Sequence, residues 1–300
     1  MPLDTQFNEI LAMFRAMPAL AEMPLEMVRN APIPINPNPT PVDEVTNRMI
    51  PGAAGQIGAR IYRSGTPGNL PLLLFMHGGG FVVGGLDTHD EMARVLTAET
   101  GCVTVSVDYR LAPEHPYPAA PDDCFAALHW AASNAGALGA DPGRIAVAGD
   151  SAGGNLAAVM ALKARDERGP ALKAQVLIYP VVDMTAPFLP APDGEYYVIN
   201  PRERDFFHNS YLPDHSRLRE PNASPGLADL RGLPPALLVT AEYDPLCAQG
   251  EDYAEKLQRA GVDATLHRYD GAVHGFASFP VPMGKVGLMR AAAWLKERLA

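Results

Sequence analysis

The sequence predicts an α/β fold whose central sheet is mostly parallel and is flanked by helices. Continuously apolar runs, typical of strands covered on both faces, alternate along the chain with stretches that have apolar residues at helical spacing. A glycine-rich turn at residues 149–154 joins one such strand directly to one such helix. Because 47% of the 300 residues are apolar, the chain can bury a core large enough for this fold.

The first part of the chain is predicted to be helical. Apolar side chains between Phe7 and Phe14 recur at the spacing of one helix face, and Pro18 ends or kinks that helix. A second short helix is predicted over Leu25–Arg29. The proline-rich run 32–41 lacks the amide donors of a central strand, so we expect it to run extended. We interpret residues 1–41 as N-terminal cap helices and a linker.

The remaining predicted strands and helices form a core from residues 42–185 and 226–300. Strand patterns start at about residue 42 and recur at 58–63, 70–76, 101–109, 144–148, 176–180, 236–241 and 264–269. Helical patterns cover residues 122–134, 155–165 and 286–299. Since strand, helix and strand alternate, we expect most neighbouring strands to run parallel.

A long connection rich in proline and aromatic residues interrupts this core at residues 186–225. Its aromatic residues are Phe188, Tyr196, Tyr197, Phe206, Phe207 and Tyr211. A connection of this length between two strands is usually functional, often as a lid over a site. We therefore predict a helical cap made of this insertion and of the N-terminal helices.

The charge and cysteine content of the chain exclude several classes of function. A net charge of −10 argues against binding to nucleic acid or to an anionic membrane surface. The N-terminus lacks a basic region followed by an apolar run, and no stretch approaches membrane-spanning length. Cys102, Cys124 and Cys247 are scattered and odd in number, which suits reduced thiols better than a disulfide framework. We expect a cytoplasmic protein without stable membrane insertion, and a homodimer is left open.

Residues 149–154, Gly-Asp-Ser-Ala-Gly-Gly, predict a nucleophile at Ser151. A Gly-x-Ser-x-Gly motif between a strand and a helix is typical of a nucleophile elbow, in which the two glycines leave room for a strained turn. The motif alone leaves two alternatives open. Ser151 or Asp150 could be a helix N-cap, or the turn could be a phosphate-binding loop.

A serine near neutral pH is a poor nucleophile and needs a neighbouring base. In sheets of this kind, reacting groups collect on loops beyond the carboxyl ends of the strands. Of the eight histidines, His274 lies just past the last predicted strand, whereas His267 lies within that strand and His129 within a helix. We therefore predict His274 as the base.

The base in turn needs an acid that orients it. Asp244 directly follows a predicted strand and is our choice, with Glu242 and Asp270 as competitors. An N-cap role before the proline that follows is the alternative for Asp244. The chain order Ser151, Asp244, His274 is the order expected of an α/β-hydrolase triad.

The run His77-Gly78-Gly79-Gly80 follows a predicted strand and is expected to bind the oxygen that becomes negative when a serine attacks an ester. Glycine lets backbone amides come close to that oxygen. The amide of Ala152, at the start of the elbow helix, is the other expected donor. A flexible turn is the alternative for the glycine run. This chemistry needs no cofactor and no metal.

Five motifs together resemble the hormone-sensitive-lipase-like family of bacterial carboxylesterases, within the α/β-hydrolase superfamily. They are HGGGF at 77–81, YRLAPEHP at 109–116, GDSAGG at 149–154, DPL at 244–246 and HGF at 274–276. The resemblance covers nearly the whole core. It implies an α/β-hydrolase fold, with a mostly parallel sheet flanked by helices, beneath a helical cap.

The resemblance also implies two sets of site residues: the catalytic triad Ser151, Asp244 and His274, and the oxyanion donors Gly79, Gly80 and Ala152. It further implies that Arg110 and Glu114 brace the oxyanion loop. One position departs from the family pattern. Ala248 stands where the family usually has a second aspartate, although Gly250 is retained.

The sequence therefore predicts a serine carboxylesterase that acts on a small-molecule ester through an acyl-enzyme. The resemblance implies acyl chains of short to medium length. An amidase or deacetylase with the same triad is one alternative, because the fold alone does not separate these activities. A non-catalytic ligand-binding receptor on the same fold is less favoured, since such receptors lose a triad residue and this chain retains all three.

Overall fold

The centre of the protein is an eight-stranded sheet, seen in a computed structural model that describes residues 1–30, 38–65 and 68–300. In chain order the strands are β1 (Glu44–Gly52), β2 (Gly55–Arg63), β3 (Leu70–Met76), β4 (Val103–Asp108), β5 (Ala140–Asp150), β6 (Leu172–Ile178), β7 (Ala236–Tyr243) and β8 (Ala264–Val273). Their order across the sheet is β1-β2-β4-β3-β5-β6-β7-β8. Only the β1/β2 and β2/β4 pairs of this sheet are antiparallel in the described ranges. The mostly parallel sheet predicted from the sequence is confirmed.

Helices flank the sheet and follow most of the strands. They are α1 (Asn8–Ala16), α2 (Leu25–Arg29), α3 (Asp90–Thr100), α4 (Ala119–Ser133), α5 (Ala152–Asp166), α6 (Pro201–Tyr211), α7 (Cys247–Arg259) and α8 (Pro282–Leu299). Among the described residues, no helix combines the length and the apolar character that crossing a membrane requires.

The helix α6 lies inside the proline-rich insertion, for which the sequence predicts a helical cap without giving the position of a helix. It begins with a capping box, in which the Asn200 side chain accepts from the amide of Glu203 and the Glu203 side chain accepts from the amide of Asn200. Pro201 occupies the first helical position. The pattern Asn-Pro-x-Glu is a helix-start signal that the sequence does contain.

The two faces of the sheet carry separate apolar clusters. Along β3, Leu72 and Leu74 belong to the cluster shared with α4, α5 and α7, whereas Leu73 and Phe75 belong to the cluster shared with α1, α3 and α8. All four side chains are fully buried. Since each buried side chain of this size stabilises the fold by about 1.5–3 kcal/mol, both faces must be covered by helices. This explains why the strand is continuously apolar in the sequence.

Residues 1–30, which we call the N-terminal segment, cross the edge of the sheet at which the parallel strands end. The amide of Asp4 donates to the carbonyl of Gly271 at 3.0 Å, near the end of β8. At the other end of the segment, Arg29 Nε donates to the carbonyl of Val82, beyond the end of β3, at 2.8 Å. Residues 31–37 of the predicted extended linker lie outside the described residues.

Five neighbouring parallel strands, β3, β5, β6, β7 and β8, end at one edge of the sheet. The residue immediately after each strand is, in that order, His77, Ser151, Tyr179, Asp244 and His274. Because the carboxyl ends of parallel strands meet at the same edge, residues far apart in the chain are brought together there. The candidate site is therefore at this edge.

A buried carboxylate on α4 joins the antiparallel side of the sheet to the loop after β4. Asp123 is fully buried and accepts from Arg110 Nε at 2.7 Å, from Arg110 Nη2 at 3.0 Å and from the amide of Ala53 at 2.9 Å. Its neighbour Asp122 is partly exposed and lies 3.9 Å from the Lys163 ammonium.

We expect Asp123→Asn to lower the free energy of unfolding by about 2 kcal/mol, because it leaves the Arg110 guanidinium without its charged partner. Asp122→Asn is the matched control and should change the free energy of unfolding by less than about 0.5 kcal/mol. Urea unfolding of the three proteins measures both effects. Equal effects of the two substitutions would contradict the role given to Asp123.

Candidate active site

Ser151 lies in a sharp turn between β5 and α5. Its φ is 53°, a value uncommon for a residue other than glycine, and its amide donates to the carbonyl of Ile178 at 2.8 Å. The turn presses α5 against β3: a Cβ atom on Gly153 would lie 2.0 Å from the carbonyl oxygen of Met76. Gly153, the second glycine of the Gly-x-Ser-x-Gly motif, is therefore required by close packing, as the motif predicts.

Ser151, His274 and Asp244 form a continuous line of hydrogen bonds. His274 Nε2 is 2.9 Å from Ser151 Oγ, and His274 Nδ1 is 2.7 Å from Asp244 Oδ2. None of the three residues is more than 8% exposed. Because a carboxylate only accepts, Nδ1 carries the hydrogen and Nε2 is left to accept from the serine hydroxyl. The structure thus brings together the three side chains that the sequence singles out.

The second oxygen of Asp244 holds the turn that leads into α7. Asp244 Oδ1 accepts from the amide of Leu246 at 2.8 Å, and the carbonyl of Asp244 accepts from the amide of Cys247 at 2.9 Å. The N-cap of α7 is Leu246, so Asp244 does not have the N-cap role considered for it; it holds the preceding turn while its other oxygen faces His274. These bonds also hold the turn in this chain, in which Ala248 occupies the position of the family's second aspartate.

The two competing acids make their hydrogen bonds elsewhere. Glu242 Oε2 accepts from the amide of Gly271 at 2.8 Å, and Glu242 Oε1 lies 3.1 Å from Arg268 Nη2. Asp270 Oδ1 lies 3.0 Å from Arg268 Nε. Both carboxylates are thus engaged by a cation or a backbone amide, and the contact to the His274 ring belongs to Asp244.

Tyr179 packs against the imidazole of His274 and was not found by sequence reasoning. The centroids of the two rings are 4.9 Å apart, and Phe276 contacts the other side of the tyrosine ring at 5.7 Å. Tyr179 is 1% exposed, so its ring restricts how far the imidazole can move. In the sequence Tyr179 stands near the end of a predicted core strand, and the structure ends that strand at Ile178.

The first peptide group of the glycine loop, between His77 and Gly78, is held at both ends. The Tyr109 hydroxyl donates to the His77 carbonyl at 2.7 Å, and the Gly78 amide donates to Asp150 Oδ1 at 2.8 Å. Burial alone would raise the pKa of Asp150, but His89 at 3.2 Å and the Gly78 amide hold it below its usual value. The residue before Ser151 is therefore a carboxylate that fastens the loop to the elbow.

The second peptide group, between Gly78 and Gly79, is held by a histidine ring. His77 Nδ1 is 2.8 Å from the Gly78 carbonyl oxygen. Burial, with a smaller effect of the nearby His89, lowers the pKa of His77 to about 3, so the ring is neutral near neutral pH. A neutral ring facing a carbonyl carries its hydrogen on that nitrogen, so His77 donates to the loop.

The third peptide group, between Gly79 and Gly80, is held by the turn that follows. The Gly79 carbonyl accepts from the amides of Val82 at 3.1 Å and of Val83 at 2.9 Å. In a planar trans peptide the N–H points opposite to the C=O, so holding the carbonyls on one side aims the Gly79 and Gly80 amides to the other. Neither amide has an acceptor in the described part of the chain, nor has that of Ala152.

The two residues implied as braces of this loop act differently from each other. The side chain of Arg110 binds Asp123 on α4, and none of its hydrogen bonds within the described residues goes to the glycine loop. Glu114 binds Arg29 of the N-terminal segment at 2.8 Å. The loop is held instead by Tyr109 and Asp150, which lie inside the recognised motifs although sequence reasoning gave them no such role.

The proline-rich insertion reaches the glycine loop directly. The ring of Phe207, on α6, fills the space beside Gly80: a Cβ atom there would lie 2.3 Å from the ring, and the φ of Gly80 is 60°. Tyr211, at the end of the same helix, stacks on Phe81 with ring centroids 3.7 Å apart and an interplanar angle of 7°. The insertion therefore forms one wall beside the amides of the loop.

The sequence is similar to curated esterases over most of its length. A carboxylesterase of Mycobacterium tuberculosis, NlhH, is 48% identical over 240 residues, which cover 77% of this chain and 75% of the relative. An arylesterase of Saccharolobus solfataricus is 40% identical over 252 residues, which cover 83% of this chain and 82% of the relative.

The structure is similar to a solved esterase as well. A hyperthermophilic esterase from the archaeon Pyrobaculum calidifontis superimposes with a TM-score of 0.92 at 41% identity, covering 100% of both chains. A protein-family model with the description alpha/beta hydrolase fold matches residues 73–278 of this chain. This range includes the glycine loop, the elbow, Asp244 and His274. The chain therefore belongs to the α/β-hydrolase superfamily, and within it to the hormone-sensitive-lipase-like family that its motifs resemble.

Proposed function

We propose that this protein is a serine carboxylesterase that hydrolyses small-molecule esters with short- to medium-chain acyl groups through an acyl-enzyme. The observation that carries the proposal is the line of hydrogen bonds from Asp244 through His274 to Ser151, at 2.7 Å and 2.9 Å. The names of the similar proteins, a carboxylesterase, an arylesterase and an esterase, support the same reaction.

In the first half of the reaction, Ser151 becomes acylated. Its hydroxyl gives its proton to His274 Nε2 while Oγ forms a bond with the ester carbonyl carbon. Asp244 accepts from Nδ1–H throughout, which keeps the imidazole in the correct tautomer and stabilises the imidazolium. The imidazolium then gives the proton to the leaving alkoxide as the C–O bond breaks, which releases the alcohol.

In the second half, water replaces the alcohol. His274 Nε2 takes a proton from a water molecule whose oxygen attacks the acyl carbonyl carbon. When the bond between this carbon and Ser151 Oγ breaks, the proton returns to Oγ and the carboxylic acid leaves. The chain thus ends in its starting state.

The negative oxygen formed in both halves is proposed to bind the amides of Gly79, Gly80 and Ala152. Their free N–H groups, aimed away from carbonyls that are already held, support this assignment. Such preorganised donors are each worth about 3–4 kcal/mol in the transition state. Because the loop is fixed before the substrate arrives, no free energy is lost in ordering it during the reaction.

We assign residues 1–41 and 186–225 to a cap over a hydrolase core made of residues 42–185 and 226–300. The course of the N-terminal segment across the strand ends supports this division, as does the contact of α6 with the glycine loop. Phe206, Phe207 and Tyr211 supply apolar surface there. An apolar wall of this kind suits an acyl chain. The free thiols of the buried Cys102 and Cys124 support a cytoplasmic location.

The substrate class is tested by comparing p-nitrophenyl esters of increasing acyl length with the matching anilides. We expect the highest kcat/KM on short to medium esters and little hydrolysis of the anilides. A preference for the anilides would favour an amidase instead.

Ser151→Ala should lower ester hydrolysis by about 10⁴-fold or more and abolish labelling by a fluorophosphonate, because the only proposed nucleophilic oxygen is removed. Ser278→Ala, an exposed serine four residues beyond the base, is the control and should retain both properties. Mass spectrometry of the labelled peptide identifies the serine. A label on another serine of the Ser151→Ala protein would reject the assignment.

Asp244→Asn should lower kcat by about 10⁴-fold near neutral pH, because an amide facing Nδ1 favours the wrong tautomer of His274. Glu242→Gln and Asp270→Asn are matched controls, since both acids bind Arg268 and not the imidazole. Each should change kcat by less than about tenfold. A large loss of kcat in either control, with a small loss in Asp244→Asn, would assign the role of the acid to the residue changed in that control.

The neutral state of His77 predicts a pH dependence of stability. Its pKa in the folded protein is about 3, against 6.5 for a free histidine, so only the unfolded chain takes up a proton between these values. The contribution of His77 is therefore complete above about pH 6.5 and is lost as the pH falls toward 3. Below about pH 5, the free energy of unfolding of the wild type should fall as the pH is lowered. Its slope should exceed that of His77→Asn by about 1.4 kcal/mol per pH unit.

Urea unfolding at several pH values measures this slope. His129→Asn, at an exposed position on α4, is the control and should keep the wild-type slope. If His77→Asn also keeps it, the pKa of His77 is not lowered in the folded protein.

A further inference from the structure

The side chain of Arg29, at the end of α2, reaches into the loops beneath the cap. Its guanidinium makes four hydrogen bonds: Nε to the Val82 carbonyl at 2.8 Å, Nη2 to the Ala112 carbonyl at 2.7 Å, and Nη1 and Nη2 to the Glu114 carboxylate at 2.8 and 3.0 Å. Only 24% of the side chain is exposed. A planar guanidinium can bind all three groups at once, which a lysine ammonium cannot do with the same geometry.

The two carbonyls belong to loops that are themselves joined. The amide of Ala112 donates to the carbonyl of Phe81 at 2.9 Å, so residues 81–82 and 112–114 lie side by side. Arg29 crosses this junction and fixes the two loops relative to each other. The first of these loops is the turn that directly follows the oxyanion glycines.

Val82 connects Arg29 to the oxyanion loop. Its carbonyl accepts from Arg29, and its amide donates to the Gly79 carbonyl at 3.1 Å. The Val82 carbonyl shares one planar peptide group with the Val83 amide, which also donates to the Gly79 carbonyl, at 2.9 Å. The Gly79 carbonyl in turn shares a planar peptide group with the Gly80 amide, so the position of the 82–83 peptide bears on the direction of the Gly80 N–H. One charged side chain of the N-terminal segment therefore acts, through one residue, on a proposed oxyanion donor.

The N-terminal segment is attached independently of Arg29. Phe7 and Leu11 are buried in the apolar cluster on the α8 side of the sheet, and the amide of Asp4 binds the Gly271 carbonyl. Glu22 forms a separate ion pair with Arg202 on α6. These contacts hold the segment on the protein without the hydrogen bonds from Arg29 to the carbonyls of Val82 and Ala112.

We propose that Arg29 is a positioning residue that holds the Gly80 amide in line for the oxyanion, so that the N-terminal segment contributes to the rate of acylation and not only to the covering of the site. This inference rests on the proposed esterase function. Arg29 touches neither the substrate nor the reacting atoms. Its loss therefore weakens binding of the transition state and leaves ground-state binding of the ester unchanged.

The test compares Arg29→Ala, Arg29→Lys and the wild type, with Glu22→Gln as the control that breaks an exposed ion pair of the same segment. For each protein, kcat and KM are measured with p-nitrophenyl butyrate, together with the inhibition constant of an alkyl trifluoromethyl ketone. The ketone adds to Ser151 and places a negative oxygen among the loop amides. The melting temperature is recorded in parallel.

Arg29→Ala should lower kcat by about tenfold and weaken the ketone by the same factor, with KM changed by less than about twofold. Arg29→Lys should restore part of the loss, because it can bind the carboxylate and one carbonyl. Glu22→Gln should match the wild type in all three constants. A melting temperature equal to that of the wild type would show that the loss of kcat is not loss of folded protein.

Three outcomes overturn the proposal. The first is a kcat of Arg29→Ala equal to that of the wild type, the second is a loss of activity that lies in KM alone, and the third is an unchanged ketone affinity while kcat falls. Should Arg29→Ala not fold, Arg29→Lys decides the question: wild-type kcat and ketone affinity in that protein would reject the positioning role. An inactive wild type that no fluorophosphonate labels would instead contradict the esterase function itself.

Discussion

The hydrogen bond from the Gly78 amide to the Asp150 carboxylate sets the distance between the two halves of the site. Asp150 directly precedes Ser151 in the chain. Its Oδ1 atom lies 2.8 Å from the Gly78 amide nitrogen, in the loop that carries the proposed oxyanion donors. In the proposed reaction, the ester carbonyl attacked by Ser151 places its oxygen on that loop, so a change in this distance would misalign the substrate in both halves of the reaction. Because the carboxylate is buried, the bond is not weakened by competition with water.

The parallel sheet makes this arrangement possible. Ser151 and His274 are 123 residues apart in the chain, yet their side chains meet because β5 and β8 end at the same edge. Ser151, Asp244 and His274 each stand at the first position beyond a strand, where the backbone is held by the ladder of the sheet. The strained φ of 53° at Ser151 persists because the close approach of α5 and β3 leaves no room for another conformation.

The loop amides are held from behind by groups of several different origins. His77 and Tyr109 come from the core, whereas Phe207 comes from the insertion and Arg29 from the N-terminal segment. A single peptide group has two directions of rotation, and contacts from opposite sides are needed to stop both. The N-terminal segment and the insertion thus both contact the glycine loop or the turn that follows it.

The sequence by itself determined the class of fold and most strand positions, and it singled out Ser151, His274 and, as the first choice of acid, Asp244, because each follows from local pattern and from its place after a strand. It left Glu242 and Asp270 open as acids, since spacing along a chain carries no information about the direction of a side chain. Only the tertiary structure decided that Asp244 faces the imidazole, that Arg110 binds a buried carboxylate of α4, and that Arg29 reaches the loop after β3. These contacts join segments distant in the chain, and their geometry exists only once the sheet and helices have packed.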